Sequence, residues 1–352
     1  MNRRSVIWNG LRVAAAIPFT ETALAQTPAA DASSRKVAIL SEHLQWLRSG
    51  DEVGRACVDM AFDALDVTIG PSPSHVDPSQ VQADLPAFVN AIRGHGVAVD
   101  TISCRVVEAD SSILENVLAT AAGLGIKSWS RQTYRYDLAK PLEPQIDALK
   151  PGIASLARLS EKHDLKLTYR NRAGAAFAGS AIFDLLELLK DLDPRHVGFL
   201  YDTGQAALAG GIDSWTIGMR AAGPYIGGVA FSDAVLKPTI NTDEGGYFTG
   251  TPEQLNNFRR TPNRVNYGGG GQANPWQAFP VPLGTGLTNL PQTIGILKDI
   301  HFQGPLEIVA EYPNGGAETG ADSISLPRAM VLGAMKRDLL TLRAAFGRTG
   351  FI

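Results

Sequence analysis

Eight short apolar runs separated by helical patterns most constrain the fold of this chain. The runs recur at a steady spacing from Val37 onward, and the segments between them, such as residues 81–92, carry apolar side chains three and four positions apart. This alternation is typical of parallel strands joined by crossover helices. The predicted strands are residues 37–40, 65–69, 97–103, 126–130, 166–169, 197–201, 226–231 and 306–310.

The eight units predict an α/β protein with one domain, a (β/α)8 TIM barrel over residues 37–346. With 352 residues, of which 44% are hydrophobic, the chain can bury one large core, although its length alone also allows two compact domains. An open doubly wound sheet is disfavoured. Residues 41–44 (Ser-Glu-His-Leu), after the first predicted strand, contain no glycine-rich phosphate turn.

Residues 1–25 have the features of an export signal. Arg3 and Arg4 supply a positive start, residues 13–19 form a short apolar stretch, and Ala23 and Ala25 offer small residues at a cleavage site. The paired arginines suit a twin-arginine route, by which folded proteins cross the membrane. The apolar stretch is shorter than the ~20 residues that span a bilayer. We therefore expect a signal peptide, a linker over residues 26–36, and a periplasmic or secreted protein that leaves the membrane.

Charge and cysteine content narrow the range of partners. The formal net charge of −3 gives no basic field for a polyanion, so nucleic acid is not an expected partner. Cys57 and Cys104 are the two cysteines, and neither has a spacing typical of a metal site. In an oxidising compartment they could pair, but each lies in an apolar stretch, which favours two buried free thiols.

One irregular stretch, residues 234–283, interrupts the regular pattern. It contains the glycine run 268–271 and is far longer than a usual connection of about 4–6 residues. Because it follows the seventh predicted strand, it lies over the active face of a barrel, where it either covers a ligand or has no role. A closing helix is expected over residues 325–346, with a tail at 347–352.

Polar side chains follow most of the predicted strands. Because the C-terminal strand ends of a barrel face one pocket, we expect a mixed-charge rim that suits a small carbohydrate substrate with many hydroxyl groups. The predicted proton-transfer residues are Asp202, Glu311 and His75. The predicted substrate-binding residues are Arg131, Tyr134, Arg170, Asn171, Arg172, Gln205, Asp233 and Trp276.

Structural roles stay open for several of these residues. Asp202 could cap the turn that follows it, and Glu311 could form a salt bridge with a pocket arginine. His75, in a loop rich in proline and serine, could be a solvated histidine. Arg131 and Tyr134 could be structural hydrogen-bond donors.

Seven sequence runs, taken in order, cover nearly everything from residue 37 to residue 313. They are GIK (125–127), RQTYRYD (131–137), YRNRAG (169–174), VGFLYDTGQ (197–205), VAFSD (229–233), PLGTG (282–286) and GPLEIVAEYP (304–313). Together they resemble the xylose isomerase-like barrel superfamily of sugar phosphate isomerases and epimerases, and within it a subgroup of exported bacterial proteins.

The resemblance implies a divalent metal (Mn, Zn, Mg or Co) held by two glutamates, an aspartate and a histidine, and proton transfer between neighbouring carbons of a ketose or aldose. This chain departs from that pattern. Residues 170–172 (Arg-Asn-Arg) stand where a Glu-Asn-His-like run is usual, and Gln205 stands where a histidine is common. Asp202 and Glu311 are the expected ligands if a metal binds, although the last acid could instead be a lost one at Val309.

Two arginines in the pocket would repel a dication, so no metal is predicted in the usual family position and no cofactor is expected. The arginines could instead stabilise the oxyanion formed when a proton leaves the carbon beside a ketone. We therefore expect a sugar isomerase or epimerase that works without a metal. A β-eliminating keto-glycoside lyase and a non-catalytic sugar-binding barrel are the alternatives, and an abasic-site nuclease is disfavoured. Replacing Arg170 or Arg172 by alanine should abolish turnover with little change in melting temperature.

Overall fold

The computed structural model describes residues 35–71, 74–106, 112–238 and 276–351. Ten strands lie in these ranges: β1 (Val37–Leu40), β2 (Ala64–Ile69), β3 (Ala98–Cys104), β4 (Ser128–Gln132), β5 (Lys166–Arg170), β6 (Val197–Asp202), β7 (Ile226–Phe231), β8 (Ala234–Pro238), β9 (Trp276–Pro280) and β10 (Leu306–Ile308). Strands β1 to β7 pair in order and in parallel, and β10 closes the barrel between β7 and β1. The predicted TIM barrel is confirmed.

Nine α-helices in the described ranges surround the barrel: α1 (Gly50–Met60), α2 (Val81–Gly94), α3 (Ser112–Gly123), α4 (Leu142–Lys162), α5 (Phe183–Leu189), α6 (Thr203–Gly210), α7 (Ser214–Ala222), α8 (Leu290–Asp299) and α9 (Arg328–Thr349). Their apolar faces are buried, as in α2, where Leu85, Val89 and Ile92 are fully covered. None of these helices is long and apolar enough to cross a membrane.

The fourth barrel strand begins two residues later than its apolar run predicts. Gly125 has a φ of +75°, and the backbone N–H of Ile126 bonds to the carbonyl of Ala121 at 3.1 Å. This is the pattern of a helix that ends at a left-handed glycine. Ile126 therefore completes the end of α3, and β4 extends to Gln132 instead.

The predicted irregular stretch begins and ends in ordered structure. Strands β8 and β9 pair antiparallel, from Ala234 opposite Pro280 to Pro238 opposite Trp276. Residues 239–275 lie outside the described residues, so the choice between a cover and an insertion stays a prediction. The predicted signal peptide and most of the linker, residues 1–34, also lie outside them.

The C-terminal helix reaches further than predicted. It runs to Thr349, and Phe351 is buried with its ring 5.3 Å from that of Phe346. Phe351 thus anchors the end of the chain against this helix. Cys57 and Cys104 are both buried and unpaired, which confirms the prediction of two free thiols.

Candidate active site

A buried arginine bridges two carboxylates at the C-terminal end of the barrel. Arg170 ends β5, Asp202 ends β6, and Glu311 follows β10. Arg170 donates to Asp202 Oδ2 through Nε at 2.8 Å and through Nη2 at 2.5 Å, and Nη2 also donates to Glu311 Oε1 at 3.0 Å. The Arg170 side chain is only 12% exposed. Three residues distant in sequence therefore meet where the barrel prediction placed them.

The carboxylate of Asp202 accepts hydrogen bonds on both oxygens. Besides the two from Arg170 on Oδ2, Oδ1 accepts from the backbone N–H of Gln205 at 3.0 Å and from Ser232 Oγ at 2.5 Å. These four bonds fill the acceptor capacity of a carboxylate. Asp202 is also the N-cap of α6, which confirms the capping alternative. We assign it the role of holding Arg170, in place of the predicted proton transfer.

Asn171 and Gln205 join the ends of β5 and β6. Asn171 exchanges two hydrogen bonds with the backbone of Asp202, accepting from its N–H at 2.7 Å and donating to its carbonyl at 3.2 Å. The side-chain oxygen of Gln205 accepts from the N–H of Ala173 at 3.0 Å. Both side chains are buried. These contacts fix the ends of the two strands. They do not support the predicted role of the two side chains in substrate binding.

Glu311 is the acid of this cluster that remains in contact with solvent. Its side chain is 27% exposed, against complete burial for Asp202. Burial by itself would raise the pKa of Glu311, but the charges of Arg170 and Arg172 hold that pKa below its ordinary value. The carboxyl is therefore ionised at neutral pH. The salt-bridge alternative is confirmed, and it leaves a partly exposed carboxylate beside a fixed cation.

His43 is a buried residue of the site that sequence reasoning left without a role. Its Nδ1 bonds to the carbonyl of Ala317 at 3.2 Å, and its Nε2 accepts the N–H of Ala310 at 3.0 Å. Because a backbone N–H can only donate, the proton sits on Nδ1. Burial lowers the pKa of His43, which keeps the ring neutral. This imidazole holds the backbone just before Glu311, and its place after β1 is the signal that could have identified it.

A second arginine lies at the mouth on β4, the strand next to the one that carries Arg170. Arg131 is 8% exposed, and its guanidinium carbon lies 5.1 Å from the ring centroid of Tyr134 and 5.7 Å from that of Tyr169. The two tyrosine hydroxyls are 3.3 Å apart. Arg131 and Arg170 line the same cavity of about 40 Å³. The predicted pair Arg131 and Tyr134 thus forms an aromatic and cationic wall of the mouth.

An ion pair and a further arginine border the mouth. Glu42 and Arg105 form an ion pair of 2.5 Å, and both line the mouth cavity. The guanidinium of Arg172 lies 5.2 Å from the ring of Phe177, and its Nε has no hydrogen-bond partner among the described residues. Arg172 also acts on the charge of Glu311. The mouth therefore contains both signs of charge, as predicted.

The structure does not bring His75 into this cluster. Its Nε2 bonds to the carbonyl of Leu47 at 3.0 Å, and its ring lies 4.9 Å from that of Phe88. Burial lowers the pKa of His75 to about 4. Its contacts are those of a half-buried packing residue that is not placed beside Glu311.

Asp233 and Trp276 are the remaining predicted binding residues. The buried carboxylate of Asp233 accepts from four backbone N–H groups, those of Ala234, Gly284, Gly286 and Thr288, at 2.8 to 2.9 Å. These bonds fix the turn after β9 and fill its acceptor capacity, so its contacts do not support substrate binding. Trp276 begins β9, but its side chain lies outside the described part of the chain.

The mouth residues do not fit the metal that the resemblance implies. Among the described residues, no group of three or more His, Cys, Asp or Glu side chains could hold a metal ion. The two expected ligands, Asp202 and Glu311, already share the guanidinium of Arg170. That cation takes the place between the carboxylates that a dication would need, and its charge opposes one.

Solved structures share this fold at low sequence identity. A D-psicose 3-epimerase with D-tagatose from Clostridium cellulolyticum H10 is 14% identical, with a TM-score of 0.56 over 88% of this chain and 99% of that one. A 3-keto-D-glucoside 4-epimerase from E. coli is 12% identical, with a TM-score of 0.56 over 88% and 100%. The IOLI protein with a zinc atom is 12% identical, with a TM-score of 0.57 over 87% and 97%. No curated protein matches the sequence.

The family match agrees with the barrel. The sequence matches the xylose isomerase-like TIM barrel family over residues 55–329. This range runs from α1 into the start of α9 and includes every residue of the cluster around Arg170. The chain belongs to the xylose isomerase-like TIM barrel family.

Proposed function

We propose that this chain is an isomerase or epimerase that moves a proton beside the carbonyl of a sugar or keto sugar, without a metal in the family position. The family and the sugar epimerases among its structural neighbours support the class of reaction. The observation that carries the metal-free chemistry is the bridge from Arg170 to Asp202 and Glu311. A fixed guanidinium supplies positive charge where a relative such as the zinc-containing IOLI protein can use a metal.

Glu311 is the base in this proposal. As an ionised, partly exposed carboxylate, it takes the proton from the carbon beside the carbonyl, and the C–H electron pair moves toward the carbonyl oxygen. Arg170 uses Nε and Nη2 for its hydrogen bonds within the described residues, which leaves Nη1 for that oxygen. Arg131, on the neighbouring strand, adds a second cation to the same cavity. Preorganised donors of this kind stabilise the oxyanion as it forms.

The two alternatives predict different products. A keto-glycoside lyase would start with the same proton removal and then expel a group from the next carbon. A sugar-binding barrel would hold the ligand without breaking a C–H bond. The pairing of Arg170 with two carboxylates is also compatible with sugar binding alone. Hydrogen exchange and product analysis distinguish an isomerase from a lyase and from a binding protein.

The test is solvent deuterium exchange after treatment of the protein with a chelator. D-psicose, D-tagatose, D-fructose and a 3-keto-glucoside would be incubated in D2O and followed by NMR and mass spectrometry. We expect deuterium at the carbon beside the carbonyl, and its loss in Glu311→Gln. The exposed residue Glu143 provides the matched control Glu143→Gln, which should keep full exchange. Binding without exchange would establish the sugar-binding barrel, and release of the aglycone would establish the lyase.

We also propose that residues 1–25 direct export to the periplasm or outside the cell. The proposal rests on the paired arginines and the short apolar stretch. Cell fractionation of the full chain and of the Arg3→Lys/Arg4→Lys variant tests it. Retention of both proteins in the cytoplasm, without cleavage, would overturn it.

A further inference from the structure

Two carboxyl groups face each other inside the barrel, beneath the mouth. Asp66 lies in β2 and Glu307 in β10, the two strands that flank β1. The two residues are 1% and 5% exposed, line the same interior cavity, and interact with each other. An ionised carboxylate can only accept hydrogen bonds. Contact between these two groups therefore requires a proton on one of them.

The barrel interior around this pair is polar. TIM barrels usually fill it with layers of bulky branched side chains, but here Thr101, Ser128 and Thr168 surround a cavity of about 20 Å³ beside the pair. A cavity of this size holds one water molecule. Oδ1 of Asp66 has no hydrogen-bond partner among the described residues. The interior thus offers a polar, water-sized space next to an acid.

Glu307 connects this interior to the mouth. It lines both the inner cavity and the mouth cavity that Arg131 and Arg170 also line. The inner cavity shares Ser128 with a large groove at the opposite end of the barrel. Glu307 therefore lies between the polar interior and the mouth.

The charges around Glu307 determine where the shared proton resides. Burial, followed by the nearby charge of Asp66, raises the pKa of Glu307 well above its ordinary value, and burial also raises the pKa of Asp66. Arg170 opposes this effect on Glu307, and Asp202 adds to it. Glu42, Arg105 and Arg131 line the mouth cavity around Glu307. Because burial and the charge of Asp66 outweigh the effect of Arg170, the pKa of Glu307 stays high and the acid pair keeps its proton.

We propose that Glu307, sharing one proton with Asp66, is a neutral acid at the floor of the mouth and donates that proton to the oxygen of the bound sugar. This assignment rests on the proposed function and adds its acid. As Glu311 removes the carbon-bound proton, the carbonyl oxygen becomes an enolate. The O–H bond of Glu307 breaks, a new O–H bond forms on that oxygen, and Glu307 becomes a carboxylate. When the enol takes up a proton on carbon, the C=O bond re-forms, the enol O–H bond breaks and its proton returns to the Glu307 carboxylate.

Infrared spectroscopy tests the shared proton without needing turnover. We expect a carboxylic acid C=O band at pH 7 to 8 in the wild-type protein, absent from Glu307→Gln. The amide of that variant can still donate to Asp66, so the barrel should fold. Asp338→Asn is the matched control, because the pKa of buried Asp338 is also raised, to about 6, away from the mouth. It should keep the band at pH 8. Absence of the band in the wild type, or its persistence in Glu307→Gln, would overturn the proposal.

The donor role has its own test. Saturation with D-tagatose, D-fructose or a 3-keto-glucoside should shift the band if Glu307 donates to the sugar, and no shift with any of them would overturn that role. In the exchange assay, Glu307→Gln should lower kcat at least tenfold with little change in KM. Asp66→Asn should retain activity, but the alkaline limb of its pH–rate profile should move to lower pH. A purely structural role of Asp66 would not shift that limb. If the carboxylic acid band is present but no sugar exchanges deuterium, the proposed function is refuted, whereas the shared proton of Asp66 and Glu307 is supported.

Discussion

Replacing Arg170 by methionine tests the ion-pair cluster on which the site depends. The substitution keeps an unbranched side chain of similar length but removes the guanidinium that bridges Asp202 and Glu311. Asp202 is fully buried, so it would lose two of its four hydrogen bonds and its counter-charge without gaining water. Glu311 is 27% exposed and can be solvated in part.

The expected cost is large because one partner of a buried ion pair is left behind. Removing one side of such a pair costs about 3–5 kcal/mol, most of it the uncompensated charge.

Urea denaturation followed by circular dichroism measures the difference in unfolding free energy. Arg195→Met is the matched control, since Arg195 makes the same kind of contacts with Asp193 on the surface at 79% exposure and should cost little. Arg170→Met/Asp202→Asn should recover part of the lost stability. A change for Arg170→Met no larger than that for Arg195→Met, at pH 7 to 8, would refute the reasoning.

Three further predictions follow from the packing. Burial lowers the pKa of His75 to about 4, from 6.5 in an ordinary histidine, so the unfolded chain binds a proton at a higher pH than the folded one. The unfolding free energy should therefore fall as the pH drops from about 6.5 to 4. In urea titrations, His75→Gln should reduce this dependence on pH. Gly152→Ala, inside α4 with no atom near the new Cβ, should stabilise the protein by about 0.5–1 kcal/mol. By contrast, Gly204→Ala would place Cβ 2.4 Å from a serine hydroxyl of the site and should destabilise it, whereas equal melting temperatures would contradict both expectations. Burial raises the pKa of Cys57 to about 12 and that of Cys104 to about 11, so neither thiol should react with a disulfide reagent until the protein is unfolded in urea; rapid reaction of the native protein would show that one of them is accessible.

The barrel could be predicted because it depends on local pattern. Each buried strand contains a short, mostly apolar run, and each run is separated from the next by a helical period, so eight units are visible in sequence. The late start of β4 has a local cause as well. Gly125 has a left-handed conformation, so Ile126 belongs to the end of α3 and not to the strand. Pairing order then follows from chain order around a closed barrel.

Partners of single side chains could not be predicted in the same way. The four N–H groups that surround Asp233 come mostly from a turn about fifty residues later, and nothing local indicates that it folds back. No local pattern indicates that Asp202 is fully buried beside Arg170; with that burial, we expect Arg170→Ala to lower the melting temperature instead of leaving it nearly unchanged. The inner acids gave a local signal that was missed: Asp66 and Glu307 each interrupt an apolar strand.

We propose that the guanidinium of Arg170 takes the place of the metal that the family resemblance implies. Titration of the chelator-treated protein with Mn²⁺, followed by calorimetry and elemental analysis, tests it most directly. We predict no binding that depends on Glu311 in the wild type, and one equivalent in Arg170→Glu, which removes the cation and adds a third carboxyl group. One equivalent bound by the wild type and lost in Glu311→Gln would contradict the account.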